Sequence, residues 1–324
     1  MPFFDLPLSE LERYSPPSTR EPDYDTFWAE NLRLSAAQPL RAELNQLEYP
    51  VKTVKVYKVF YDGFGGGRIC GLYLLPSAPA PAGGYPALLV CHGYSCGKGL
   101  PVDHLHWVLQ GFAVLSLDPR GQSGESVDTG TYSFGARPGW MTKGILDKNE
   151  YYYRRVYLDH LRGLEFLRER PEIDPDRIGV TGGSQGGGLT LAVAALAGGR
   201  IAAAMPDVPF LCHFRRALEI TDAYPYREIA DFIKTWPDKE DQVYRTLSYF
   251  DNMNWTDRIA CPVLMSVGLQ DQICPPSTVY AAFNRIKSEK RMMVYPYSGH
   301  EGGGSWQTEA KVAWAAKYIL EKKG

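Results

Sequence analysis

The sequence predicts an α/β fold with a mostly parallel central sheet. Two short, nearly continuous apolar runs, "ALLVCHG" (87–93) and "FAVLSLD" (112–118), read as strands buried on both faces. "RIGVTG" (177–182) and "PVLMSVG" (262–268) repeat that signature, and stretches of helical spacing separate them. Strand followed by helix, several times over, is the pattern of a parallel sheet covered by helices.

In chain order, residues 1–50 read as a helical, aromatic arm that includes "EPDYDTFWAENLRLSAA". The runs 53–61 and 68–76 are joined by "DGFGGG", and their alternation across a glycine-rich turn predicts a hairpin. In 151–170, Val156, Leu161, Leu164 and Leu167 fall close to helical spacing before Pro171 ends the run. "GGLTLAVAALAG" is an alanine-rich helix and "IAAAMPD" (201–207) the next strand. The stretch 210–255 supplies polar helices with no strand between them, an insertion over one end of the sheet. A helix from about Ser277, a strand at 291–297 and a last helix in "QTEAKVAWAAKYILEK" resume the alternation. All 324 residues are expected to form one domain with excursions.

Composition narrows the function. With 44% apolar and 22% charged residues and a net charge of −2, the chain lacks the charge balance that favours nucleic acid or an anionic membrane. No window approaches the roughly 20 apolar residues of a membrane span. The first residues show no basic stretch followed by a long apolar one. The six cysteines (70, 91, 96, 212, 261 and 274) form no CxxC pair, and several sit in apolar runs. Buried free thiols in a reducing compartment, and a cytoplasmic location, are therefore expected. His104 and His106 lack zinc-type spacing, so neither metal nor organic cofactor is expected.

The most informative stretch is "TGGSQGGG" (181–188), in which five glycines surround one serine and one glutamine. It lies between a buried strand and a helix, which excludes a linker. A phosphate loop would need GxxxxGK[ST], and no lysine follows until Lys234. What fits is G-x-S-x-G, the nucleophile elbow of the α/β-hydrolase fold. That sharp strand-to-helix turn displays a serine beside the N–H groups of a helix N-terminus.

A serine nucleophile needs a base and an orienting acid, which in this fold follow it in the order Ser, acid, His. His92, His104, His106 and His160 come too early, and His213 opens the insertion. His300, in "YPYSGHEGGG", follows a late strand. Asp271 follows the strand at 262–268 and precedes His300 by one strand–helix unit, which favours it over Asp207, one strand earlier. Glu301 is poorly placed to bond the neighbouring ring. The oxyanion hole is expected from the Gln185 N–H and from the loop "CHGYSCGKG", through Gly93 or Tyr94. Arg120 is expected to tie loops together rather than meet substrate. A longer-chain carboxylesterase, a peptidase, or a catalytically silent binding protein of the same fold are the alternative readings.

The blocks "FFDLPLSELERY", "RGQ" (120–122), "GILD", "YYYRRV", "GGSQGGG", "DVPFLCHFRRA", "RTLSYFD", "SVGLQDQICPPST" and "YPYSGHEGGG" together resemble the acetyl xylan esterase / cephalosporin-C deacetylase family. These are carbohydrate esterases of the α/β-hydrolase fold, and the resemblance runs from the first residues to about 304. It implies Ser184 as nucleophile, Asp271 as acid and His300 as base, with the N–H groups of Tyr94 and Gln185 in the oxyanion hole. It further implies deacetylation of small acetylated sugars and cephalosporin C without a cofactor. The implied assembly is a homo-hexamer whose active sites face an internal cavity. The segment between Gln122 and Gly144, short beside the family's, is expected to bear on the pocket rim.

Overall fold

The computed structural model describes residues 3–321. Residues 1–2 of the expected arm and Lys322 of the expected last helix lie outside them. Nine strands form one sheet in the order β1-β2-β3-β5-β4-β6-β7-β8-β9. β1 (Glu43–Leu47), β2 (Val54–Asp62) and β3 (Arg68–Pro76) make an antiparallel lead-in, and β3 joins β5 (Ala113–Leu117) antiparallel. From β5 onward the pairing is parallel, through β4 (Tyr85–Cys91), β6 (Ile173–Gly183), β7 (Ala203–Asp207), β8 (Val263–Gly268) and β9 (Lys290–Tyr295). The mostly parallel sheet expected from the apolar runs is therefore present.

Side chains alternate across the sheet, as the pleat requires. Leu89, Leu115 and Val180 face a layer that contains α4 (Tyr152–Arg168) and α5 (Gln185–Leu196). Leu88 and Val114 face the opposite layer, with Trp107, Trp314 and Ile319. Trp107 lies on the short helix α3 (Leu105–Val108), and Trp314 on α10 (Gly304–Ala315), which runs on into a π-helical turn at Ala316–Leu320. All twelve residues of α5 are buried. A helix apolar on every side belongs in the middle of a protein, and here it lies directly behind the sheet.

Two expectations need correction. The first fifty residues are helical only in part, at α1 (Leu8–Leu11) and α2 (Tyr24–Ala37), while 43–47 form the edge strand β1. Four of its five residues are exposed, so "ELNQL" carries no apolar alternation to reveal a strand, and backbone pairing with β2 holds it. The strand around Val180 also begins at Ile173, four residues before the expected start. Five cysteines are buried and free as expected, whereas Cys96 is exposed.

The insertion is helical: α6 (Phe214–Ile220), α7 (Tyr226–Thr235) and α8 (Glu240–Ser248). The arm packs against the end of this segment. The Trp28 indole N–H donates to the Tyr249 carbonyl at 3.0 Å, and the Trp28 and Trp255 rings lie 4.4 Å apart. α9 (Pro276–Phe283) completes the cover over β8.

Arg120 has the loop-tying role expected of it. It is fully buried and bonds both oxygens of Asp159, at 2.6 and 2.7 Å, while also donating to the Phe64 carbonyl at 2.9 Å. It thereby joins the loop after β5 to α4 and to the β2–β3 turn. Removing one partner leaves a buried charge uncompensated. Arg120→Ala should therefore lose about 3–5 kcal/mol in denaturant unfolding. A loss below about 1 kcal/mol would show that the pair does not hold these loops.

Candidate active site

Ser184 stands between β6 and α5 with φ 57° and ψ −121°. A β-carbon on Gly182 would lie 2.4 Å from the Cys91 carbonyl oxygen, and one on Gly186 would lie 2.1 Å from it. The two outer glycines of G-x-S-x-G are therefore required by the approach of the elbow to the end of β4. The bend is pinned on both sides of the serine. The Ser184 N–H donates to the Asp207 carbonyl at 3.0 Å, and the Ser184 carbonyl accepts from Phe210 N–H at 2.9 Å and Gly188 N–H at 3.0 Å.

The structure brings His300 and Asp271 together. Asp271, fully buried beyond β8, accepts from the His300 Nδ1 at 2.8 Å through Oδ2. Its Oδ1 accepts from the N–H groups of Ile273 at 2.8 Å and Cys274 at 3.0 Å. These bonds fix the carboxylate, which fixes the ring. With the Nδ1 proton facing Asp271, the lone pair of the neutral ring is on Nε2. Ser184 and His300 are both half-buried.

Cys274 is a neighbour that sequence reasoning did not assign to the site. Its thiol is fully buried and lies near the Asp271 carboxylate and the His300 ring. Burial pushes that thiol well above its usual pKa, and the charge of Asp271 adds to the rise. Cys274, Asp271 and His300 place donor atoms within 4.8 Å of one another. They are the His/Cys/Asp/Glu group that could hold a metal among the described residues. The Asp271–His300 bond already engages two of the three.

Gln185 opens α5, where a helix leaves its first N–H groups without intrahelical partners. Its side chain binds the loop after β4. Nε2 lies 3.2 and 3.3 Å from the carbonyls of His92 and Gly93, and Oε1 accepts from Gln122 Nε2 at 2.9 Å and Tyr153 OH at 2.8 Å. Gln122 Oε1 in turn accepts from Ser95 N–H at 2.9 Å, the residue after Tyr94. Tyr152 OH donates to the Arg120 carbonyl and accepts from Gln122 at 3.0 Å. Gln122, Tyr152 and Tyr153 thus hold the loop that carries Gly93 and Tyr94. Their signal was present in "RGQ" and "YYY", two blocks with no chemical role of their own. Trp140, from the 122–144 segment, packs edge-on against the Tyr94 ring at 5.1 Å, so that segment does border this loop.

The side chains of the competing residues are engaged in other contacts. Asp207 pairs with Lys311 and accepts from Gln307 at 2.7 Å, tying β7 to α10. Glu301 accepts from the Gly299 N–H at 3.0 Å and holds the turn before it. His92 is bonded to Ser116, and burial lowers its pKa to about 4. His160 donates within α4 to the Val156 carbonyl.

The acetyl xylan esterase (AXE1) family model matches residues 1–318. A solved acetyl xylan esterase from Paenibacillus sp. R4 is 45% identical and superposes with a TM-score of 0.94, covering 97% of this chain and all of its own. Acetyl xylan esterase 1 from Thermoanaerobacterium sp. JW/SL YS485 is 35% identical, with a TM-score of 0.92 over 99% of this chain and all of its own. The acetyl esterase Axe7A of Xylanibacter ruminicola is 28% identical over 94% of this chain and 69% of its own length. The chain belongs to the acetyl xylan esterase family.

Proposed function

We propose that this acetyl esterase works by a serine mechanism through an acetyl-enzyme, on small acetylated sugars such as acetylated xylo-oligosaccharides. The Asp271–His300 bond of 2.8 Å, beyond the strand next but one to the Ser184 elbow, is the observation that carries the reading. In the first step the Ser184 oxygen attacks the acetyl carbonyl while His300 Nε2 takes its proton. The N–H groups of Tyr94 and Gln185 receive the oxyanion. The sugar alcohol leaves with that proton, and water, activated by the same imidazole, hydrolyses the ester on Ser184. Preorganised donors of this kind contribute about 3 kcal/mol each to such transition states.

The family resemblance supports two further parts of the proposal, deacetylation of cephalosporin C and a homo-hexamer with inward-facing sites, and the unpaired cysteines support a third, a cytoplasmic location. Light scattering of the purified protein at six chain masses checks the assembly, and a monomer would remove it.

Acetate release from an acetylated xylo-oligosaccharide, wild type beside Ser184→Ala, tests the mechanism. A fall in kcat of about a million-fold is expected for the variant, with the thermal unfolding midpoint retained. Activity within about tenfold of wild type would remove Ser184 as nucleophile. Rates in a chelating buffer should equal those without it. Along a series of p-nitrophenyl esters the acetyl ester should be the best substrate, and a preference for butyryl esters would replace the acetyl reading with a broader carboxylesterase.

A further inference from the structure

A second buried polar cluster joins the helical insertion to the loop after β4. Glu228, on α7, is only 4% exposed. Its Oε1 accepts from the Tyr94 hydroxyl at 2.6 Å and its Oε2 from the Met141 N–H at 3.0 Å. The Tyr94 hydroxyl also accepts from the Trp140 N–H at 2.6 Å. Gly139, at φ 107°, presses on the carboxylate so closely that a β-carbon there would lie 2.1 Å from Oε1. Among the described residues no lysine or arginine pairs with Glu228.

A buried carboxylate without a cation is costly, and an apolar side chain would fill the same space at lower cost. What an apolar residue could not do is accept two hydrogen bonds and hold a phenol in one place. The 2.6 Å O–H···O separation falls in the charge-assisted range. Burial pushes the Glu228 carboxyl above its usual value, while the bonds from Tyr94 and the 140–141 backbone act against that rise. The Tyr94 ring packs in T-shaped contacts with Trp140 and Phe210, at ring separations of 5.1 and 6.3 Å. Its far end is tied to α7 and its near end carries the backbone N–H, with the exposed residues Ser95 and Cys96 immediately following.

We propose that Glu228 is a positioning residue for the oxyanion hole, acting through the Tyr94 hydroxyl to hold the Tyr94 N–H at the place where charge develops. The proposal rests on the reading of that N–H as an oxyanion donor. A rigid ring anchored at its hydroxyl restricts its own Cα, and therefore the peptide on either side. The insertion is in this way part of the catalytic apparatus, although none of its side chains need touch the acetyl group.

The test uses Glu228→Gln, Tyr94→Phe and the double variant, with Asp231→Asn on the outer face of α7 as a control. For each, kcat and KM on p-nitrophenyl acetate are measured beside affinity for a trifluoromethyl ketone, whose adduct with Ser184 places an oxyanion in the hole. Glu228→Gln should lower kcat about 10- to 100-fold and weaken the ketone by the same factor, with KM moving less than about twofold. The double variant should be no worse than the poorer single one, because both act on the same contact: the amide loses the charge and one of the two acceptor oxygens, and the phenylalanine loses the hydroxyl they hold. If Glu228→Gln does not fold, Tyr94→Phe, which keeps the carboxylate and its Met141 bond, carries the same readouts. Folded variants with wild-type kcat and ketone affinity overturn the proposal, as does a loss of kcat without a loss of ketone affinity. A wild type that neither cleaves the ester nor binds the ketone would overturn the esterase reading, and the positioning role with it.

Discussion

Ser184 holds a backbone conformation that L-residues avoid, at φ 57° and ψ −121°, and the centre of the molecule is built to keep it there. Such a residue costs about 1–3 kcal/mol and persists only where its surroundings over-determine it. Here they do. Its N–H and carbonyl are tied to the chain just after β7, at Asp207 and Phe210. Its flanking glycines lie against the Cys91 carbonyl at the end of β4. The helix it opens is buried along its whole length and cannot shift to relieve the bend. The strain is borne by three strands and one helix together, and the serine is displayed at the point where they converge.

Around that point the buried polar groups are paired rather than avoided. Gln185 shows why the residue type matters: its amide receives two bonds and donates toward the carbonyls of His92 and Gly93. An ionised carboxylate or an ammonium here could not supply a donor and an acceptor at once. Gln122 mirrors it, serving Ser95 N–H with its oxygen and Tyr152 with its nitrogen. Fully satisfied networks of this sort rigidify a site, whereas a partly satisfied one would be costly in so dry a setting. Arg120 and Asp159 anchor the same layer from below, two residues before Gln122.

The parts legible in the sequence were those with strong local signatures. Parallel strands buried on both faces announce themselves as apolar runs, and G-x-S-x-G between a strand and an alanine-rich helix leaves little else to read. Chain order then singled out Asp271 and His300, which the structure places 2.8 Å apart. The edge strand β1 was illegible because its two leucines fall on opposite faces, four of its five residues are exposed, and backbone pairing with β2 holds it. Cys274 and Glu228 were illegible for another reason. Nothing in "QICPP" or "YREIADF" distinguishes a core residue from one that meets the active site across the fold, since such meetings depend on long-range packing.

Cys274 also shows how burial decides chemistry. The thiol shares the neighbourhood of Ser184, Asp271 and His300, and an ionised sulfur there would place a second negative charge beside Asp271 and compete for the imidazole. Burial and that same carboxylate keep the proton on sulfur. A neutral thiol is a weak hydrogen-bond partner, so it competes little for the polar groups around it. The same proton bears on metal binding, which requires deprotonated ligands. A metal held by these three donors, which lie within 4.8 Å of one another, would have to displace the thiol proton and open the 2.8 Å Asp271–His300 bond.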